Sequence, residues 1–492
     1  MATAATQQER LGTWLEMLPS STKALYCLVV FVVALFFSAN LPWHLDNYDQ
    51  AKQAYVAFEI EQSGNWLYQT TPAGKSASKP PLMGWLSAAA RFMGIPWDWA
   101  FRLPSLVSAF AIAAMLAWTG MRVGGRAPCF LAIAAFSLNL LTPRLATLVR
   151  TDMLLAFFIF VPGWIIYLKL RSPAPWTLAE RIAFGCGMAG ALLTKGPVIY
   201  AFLLPGLAVA AFLIRSPENR RMLWSGWLSW LLPLGLFLAW GFAGLVGNSA
   251  FYDDVVVREF LSRFQEGSRS DERPQPWWFY FPHLIHKFAP WSFFVIGAFV
   301  FCKPLRKALG KNPALLWCKL WVAGGLVVMT LIPAKRVDRI YPIIPPLCLL
   351  VVEIATVLRC QRKVRIASGA CVVSAVAFSG GYFVGLVPLS YHENADGLVE
   401  FSNAVNDVRS ESPDVPLYLV RARDEGLLIY LSMPRFTSTS EFEKAWDSGA
   451  DAQFLISDRM QERYADRLKA GRVLLDTSLT KKNETGYRLY ER

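Results

Sequence analysis

Charge is scarce in this chain. Asp, Glu, Lys and Arg make up only 17% of its 492 residues, against 54% hydrophobic and 14% aromatic residues. A single soluble core needs far less apolar material, so an ordinary soluble fold is excluded. Histidine is rarer still, limited to His44, His283, His286 and His392. His283 and His286 stand three apart and can share one helix face, yet two ligands do not complete a zinc site. The cysteines, Cys27, Cys129, Cys186, Cys302, Cys318, Cys348, Cys360 and Cys371, lie in or beside apolar stretches with no paired ligand spacing. They read as small core residues, which argues against disulfides and metals. No clear internal repeat is present, and repeats are one mark of a transporter.

What the chain has instead is a succession of apolar runs of about 18 to 22 residues, the length a helix needs to cross the hydrocarbon core. They predict a polytopic α-helical membrane protein of about eleven spans with interfacial helices beside them. The spans start near Ala24, Phe101, Ala127, Thr151, Arg181, Gly196, Met222, Trp278, Leu315, Tyr341 and Val364. The first is long for a signal peptide and Ser38-Ala39-Asn40 makes a poor cleavage site, so it reads as an uncleaved anchor. Segments 50–62, 80–92 and 252–264 look helical but are too polar or too short to cross, and are expected along the interface. Segment 7–18 is either another surface helix or a frayed tail. Gly185-Cys186-Gly187-Met188-Ala189-Gly190 satisfies a dinucleotide-binding pattern, but it lies inside an apolar helix with no preceding strand. Small residues there serve close helix packing instead.

Lys and Arg concentrate in cytoplasmic loops, which sets the orientation. With the N-terminus inside, Arg122, Arg126, Lys169, Arg171, Arg215, Arg220, Lys303, Arg306, Arg359 and Arg362 all fall on the inner face. An odd number of spans then leaves the first long loop, and everything after Leu389, outside. Lys79, Arg144, Arg150, Lys195, Arg258, Arg263, Arg269, Lys335, Arg336 and Arg339 break the rule by falling on the outer face. Cations retained there point to an anionic ligand such as a phosphate, which guanidinium groups bind with paired charge-assisted hydrogen bonds. Lipid headgroups or solvated loop charge remain the alternative for any single one.

Residues 1–389 form the membrane region, and residues 390–492 read as a small soluble α/β domain on the outer face. In this tail β-like runs, Leu417-Tyr418-Leu419-Val420 and Phe454-Leu455-Ile456, alternate with helix-like stretches 441–446 and 460–469. It holds no catalytic cluster. Asn483-Glu484-Thr485 matches a glycosylation sequon, a short pattern that means little alone.

Two carboxylates follow the first span, in Asp46-Asn47-Tyr48-Asp49-Gln50, and a lysine follows them in Ser78-Lys79-Pro80-Pro81. A positioned carboxylate can act as a base toward an attacking hydroxyl and contributes about 10² to 10⁴ in rate. A bound phosphate is a stable anion where cations share its charge.

Further pieces recur in order: Ser63-Gly64-Asn65-Trp66, Trp85-Leu86, Arg102-Leu103-Pro104-Ser105, Asp152-Met153-Leu154-Leu155 and Leu193-Thr194-Lys195-Gly196-Pro197. Pro276-Trp277-Trp278-Phe279-Tyr280, Pro290-Trp291 and Arg339-Ile340-Tyr341-Pro342 complete the set. Taken together from 46 to 350, they resemble the GT-C glycosyltransferases that use polyprenyl-phosphate sugars, above all the aminoarabinose transferases of lipid A and the protein O-mannosyltransferases. Each motif alone is weak; the order makes the resemblance specific.

The resemblance implies an inverting transfer from an undecaprenyl-type phosphate sugar to an extracytoplasmic lipid or glycan, in a bacterial inner membrane with the active site on the periplasmic face. A protein acceptor is the runner-up, and a polytopic transporter or lipid-carrier flippase is the rival from another class. No nucleic acid is expected as a partner. By alignment the catalytic carboxylate is Asp49, although the family usually has Asp-Glu where this chain has Asp49-Gln50, which keeps Asp46 in competition. Asp49 also fits a helix cap. Asp152 is expected either to cap the fourth span or to orient the acceptor or the base. Lys79, Arg258, Lys335 and Arg339 are the candidates for the donor phosphate. Ser78 and Arg273 stand where the aminoarabinose branch has a glutamate and a histidine associated with a metal. No metal or other cofactor is therefore expected, and the lipid A reaction itself is disfavoured.

Overall fold

The computed structural model describes residues 2–45, 48–248, 250–260, 275–333, 335–394, 397–420, 424–449, 451–475 and 486–492. Helices begin at or near each of the eleven expected positions, because each apolar run leaves its backbone polar groups no partner in lipid except one another. Their lengths vary more than the apolar runs predict. Among the described residues six helical segments are long and apolar enough to cross a membrane, Leu103–Gly124, Thr151–Arg171, Pro217–Gly247, Pro313–Leu331, Val337–Val357 and Arg362–Ser390. The number rises to eight when two bent pairs each count as one span. One pair is Tyr280–Lys287 with Trp291–Phe301, bent by 106° at a break containing Pro290, which cannot supply a helical N–H. Arg126–Ser137 and Val198–Leu213 are apolar but shorter. The chain is a multi-pass integral membrane protein.

Close helix approach depends on glycine. A Cβ on Gly163 would sit 2.1 Å from the Trp321 ring, which stacks on Phe160 while Trp317 Nε1 donates to the Gly163 carbonyl at 2.9 Å. The dismissed nucleotide pattern is a packing surface as expected. Gly187 and Gly190 bring Leu178–Lys195 against Thr151–Arg171, where a Cβ would meet Pro162 at 2.7 Å and Phe158 at 2.2 Å.

The expected interfacial segments are helical: Tyr48–Ser63, Leu82–Phe92 and the π-wound Tyr252–Phe260, with Ala2–Met17 before the first span. Gly64 ends the Tyr48–Ser63 helix at φ 70°, a conformation glycine adopts without strain. The Asn65 side chain then accepts from the Leu67 and Tyr68 amides, and Trp85 Nε1 donates to the Trp66 carbonyl. The Gly-Asn-Trp motif is thus a turn that doubles the chain back toward Lys79. Asp254 accepts from the Ser76 amide at 3.0 Å and Asn248 donates to the Ser76 hydroxyl at 2.8 Å, clamping the return limb.

In the tail, strand β1 (Leu417–Val420) pairs in parallel with β2 (Gln453–Ser457), and β4 (Tyr487–Glu491) runs antiparallel between β2 and β3 (Arg472–Leu475). The two later strands were not foreseen from sequence. The expected helix at 460–469 is two short ones, Asp458–Arg463 and Ala465–Leu468. The tail does not stand clear of the rest. Leu398, Phe401, Leu427 and Leu428 share a buried core with Leu45, Ala54, Tyr55 and Phe58. The Tyr55 hydroxyl donates to the Pro434 carbonyl, and the Leu45 amide donates to Tyr430 Oη at 2.9 Å.

Candidate active site

Asp49 lies in the first turn of the Tyr48–Ser63 helix, where the helix dipole favours a negative charge. Its carboxylate is engaged across the site: Arg336 Nη2 donates to Asp49 Oδ2 at 2.7 Å. Burial opposes ionisation of Asp49, but the Arg336 hydrogen bond and charge, reinforced by Arg150 and Lys79, hold its carboxyl below the ordinary value. Gln50 Oε1 accepts from the Val149 amide at 3.2 Å, tying this turn to the segment that enters the Thr151–Arg171 span. The departure from Asp-Glu is therefore a neutral strut.

Asp152 opens that span and is only 2% exposed. Lys195 Nζ reaches its Oδ1 at 2.7 Å and Arg150 Nε its Oδ2 at 3.2 Å, while Arg150 Nη1 also meets Asp338 at 2.6 Å. The result is one chain of alternating charge, Asp338, Arg150, Asp152 and Lys195. Gly196 at φ 74° ends the helix directly after Lys195, leaving the ammonium at the helix's C-terminal end. Ser105 Oγ donates to the Leu148 and Arg150 carbonyls and braces the same turn.

Lys79 arrives from the clamped loop into the field of Lys195, Asp152, Arg150 and Lys52. Burial and then the charge on Lys195, with Arg150 and Lys52 adding to it and Asp152 opposing, push its ammonium down to about 7. Such crowding of cations about one ammonium is unfavourable alone and is relieved by an added anion. The opposite end of Thr151–Arg171, roughly 30 Å away at 1.5 Å per residue, carries a separate group: buried Glu353 accepts from Tyr167, Arg171 and Asn312.

Asp49, Lys79 and Asp152 are thus brought together. Lys335 is turned aside, its Nζ donating to the Gln275 carbonyl at 3.3 Å, with burial lowering its pKa. Arg339 belongs to the Val337–Ile343 turn that carries Asp338. The backbone of Arg258 lies in Tyr252–Phe260, but its side chain is outside the described residues, as are Asp46, Arg263, Arg269, Arg273 and the Asn483 sequon. Sequence reasoning placed Arg150, Lys195 and Arg336 on the outer face without assigning them a partner, and it missed Asp338. Nothing local pairs Arg336 with a carboxylate 287 positions away.

Ser78 offers a neutral hydroxyl beside Lys79, and His283 packs its ring on Phe279 with centroids 4.6 Å apart. Among the described residues no three His, Cys, Asp or Glu side chains group to hold an ion.

No protein-family model matches the chain. An arabinosyl transferase of Shewanella sediminis, described as acting with undecaprenyl phosphate-alpha-4-amino-4-deoxy-L-arabinose, is 26% identical over 310 residues. The match covers 62% of this chain and 55% of that relative. The Pseudomonas aeruginosa protein of the same description is 25% identical, with 67% and 59% covered. The chain thus spans just over half the length of these curated relatives. Among solved structures, ArnT of Cupriavidus metallidurans bound to undecaprenyl phosphate superposes with a TM-score of 0.71 at 19% identity, covering 96% of this chain and 98% of ArnT. The chain has the GT-C fold. The GT-C oligosaccharyltransferase of Archaeoglobus fulgidus superposes more distantly, with a TM-score of 0.51 at 9% identity over 90% of this chain and 71% of its own. Within this GT-C fold the ionic cluster sits at one end of the helical bundle, where the first loop, the fourth span and the Val337–Ile343 turn converge.

Proposed function

We propose that the chain is an inverting glycosyltransferase that takes a sugar from a polyprenyl-phosphate donor and gives it to a lipid or glycan acceptor, at the periplasmic face of a bacterial inner membrane. The observation that carries the reading is the Asp49 carboxylate held among Arg336, Arg150 and Lys79 at one end of a GT-C bundle. The description of the curated relatives as undecaprenyl-phosphate-dependent arabinosyl transferases supports the donor class. Ser78 stands where the resemblance places a metal-associated glutamate, which leaves the sugar and acceptor to assay.

The chemistry needs two kinds of group. Asp49 takes the proton from the acceptor hydroxyl as its oxygen bonds to the anomeric carbon. The bond from that carbon to the phosphate oxygen breaks, and its electron pair leaves on the phosphate. Lys79 and the neighbouring guanidinium groups meet the growing charge. At about 4 Å and an effective dielectric near 20, each cation interacts with a phosphate charge by about 4 kcal/mol before desolvation, so two or three decide the site's preference. The Asp338, Arg150, Asp152 and Lys195 chain holds the cations in register.

The test is turnover of a panel of polyprenyl-phosphate sugars by the detergent-purified chain and by its Asp49→Asn and Asp46→Asn variants. Asp49→Asn is expected to lose about 100-fold or more, the share of a positioned base, while Asp46→Asn keeps most activity. Full turnover by Asp49→Asn would overturn the base assignment. Movement of lipid across vesicles without covalent product would favour a carrier instead.

A further inference from the structure

Arg336 and Asp49 raise a difficulty for catalysis that also points to a solution. A carboxylate whose oxygen accepts from a guanidinium at 2.7 Å is a weakened base, because the arginine stabilises its ionised form. We propose that Arg336 is a donor-operated release for Asp49: a lipid phosphate takes the guanidinium away from the carboxylate, and only the donor-loaded enzyme has an available base. The proposal rests on the transferase reading for the identity of the anion.

Three features single out Arg336 among the cluster's cations. Arg150 is shared between Asp152 and Asp338, and Lys195 is tied to Asp152, whose side chain is 3% exposed. Arg336 instead meets a carboxylate that is 43% exposed, and is itself 41% exposed. Ion pairs that open to water are worth little and exchange readily. The neighbouring side chains are engaged on either side, Lys335 with the Gln275 carbonyl and Asp338 with Arg150. An exchange of partner therefore falls to the Arg336 side chain, not to the segment. Finally, a guanidinium can fork onto a phosphate with two parallel charge-assisted hydrogen bonds, so a lipid phosphate can compete with Asp49 for it.

The exchange couples two events. Premature deprotonation of water or of a stray hydroxyl is suppressed while Arg336 holds Asp49, and donor arrival strengthens the base beside the anomeric carbon. Arg336 is a positioning residue for Asp49 and a ligand for the donor phosphate.

Binding of undecaprenyl phosphate to the detergent-solubilised full chain, measured at one pH near neutrality, tests this without turnover. Wild type, Asp49→Asn, Arg336→Gln and the double variant form a cycle. Asp49→Asn removes the competitor for Arg336 and is expected to tighten binding about two- to fivefold, the range an exposed ion pair supplies. Arg336→Gln weakens binding, and in that background Asp49→Asn has no further effect. Arg336→Lys, which keeps the charge but not the fork, is expected to fall between wild type and Arg336→Gln. Unchanged or weaker binding by Asp49→Asn overturns the release. So does a gain that persists without Arg336, since bulk repulsion between carboxylate and phosphate would then explain it. Absence of binding by every variant, including wild type, overturns the transferase reading and the release with it. Binding without the predicted coupling overturns the release alone.

Discussion

Replacing Asp152 with asparagine is expected to cost this protein about 3 kcal/mol of stability, and the network says which side chain bears the loss. The Asp152 side chain is 3% exposed, with Lys195 at 2.7 Å and Arg150 at 3.2 Å. With an effective dielectric near 20 the two attractions are about 6 and 5 kcal/mol before desolvation. Taking a carboxylate out of water offsets much of that, and breaking such a buried pair typically costs about 3 to 5 kcal/mol net. The lower figure applies because the cations retain some solvent, 13% for Lys195 and 18% for Arg150. Arg150 keeps Asp338 at 2.6 Å after the change, whereas Lys195 loses its 2.7 Å contact with Asp152. Asp152→Asn with Lys195→Met should therefore recover a large part of the loss, since an apolar side chain needs no counter-charge. Thermal midpoints of the detergent-purified proteins, read as the monodisperse fraction remaining after heating, measure both variants. An Asp152→Asn midpoint equal to that of wild type, or a double variant no more stable than the single, would refute the reasoning.

Other expectations follow from the same coordinates. Lys79, pushed down to about 7 chiefly by burial and by Lys195, is mostly protonated in the free protein below that pH and mostly neutral above it. Affinity for a phosphodiester donor, whose single charge is constant here, should fall as pH rises above about 7, by at most tenfold per pH unit, and Lys79→Met should flatten the profile in a binding titration. Glu425 has its carboxyl raised to about 7 by burial, so the folded state favours the neutral form. Stability should then fall as pH rises from the ordinary glutamate range through 7, and Glu425→Gln should gain up to about 3 kcal/mol above that pH, with little gain near pH 4 in a pH series of melts. Gly324→Ala places a Cβ 2.7 Å from the Gly206 backbone nitrogen, a neighbour with no rotamer to yield. Separation of Val198–Leu213 from Pro313–Leu331 should cost about 1 to 3 kcal/mol, and a melt equal to wild type would contradict that close crossing.

Much of the architecture was legible because membrane spans and strands announce themselves locally. The run Leu417-Tyr418-Leu419-Val420 became β1 with the same bounds, and segment 80–92 became Leu82–Phe92. Span length was less legible, since a hydropathy run does not register where Pro290 breaks a helix into two limbs. At the site, Asp49, Lys79 and Asp152 were picked out by motif order and found together. Lys335 was favoured over its neighbour, yet Lys335 faces Gln275 while Arg336 faces Asp49. Adjacent residues in an irregular connection have no periodicity from which to read direction.

By itself, then, the sequence determined that this is a many-helix membrane protein, which shorter helices accompany the long apolar ones, and which acids and bases the motifs set near helix ends. Hydrophobic length and the cost of charge in lipid write those features into short windows of residues. Only the tertiary structure decided that Arg336 reaches Asp49, that Asp152 closes a chain with Lys195, Arg150 and Asp338, and that the tail packs its core onto the helix carrying Asp49. Apart from Arg150 with Asp152, those pairings join residues 43 to 287 positions apart. They depend on how helices cross and where loops return, which no local pattern encodes.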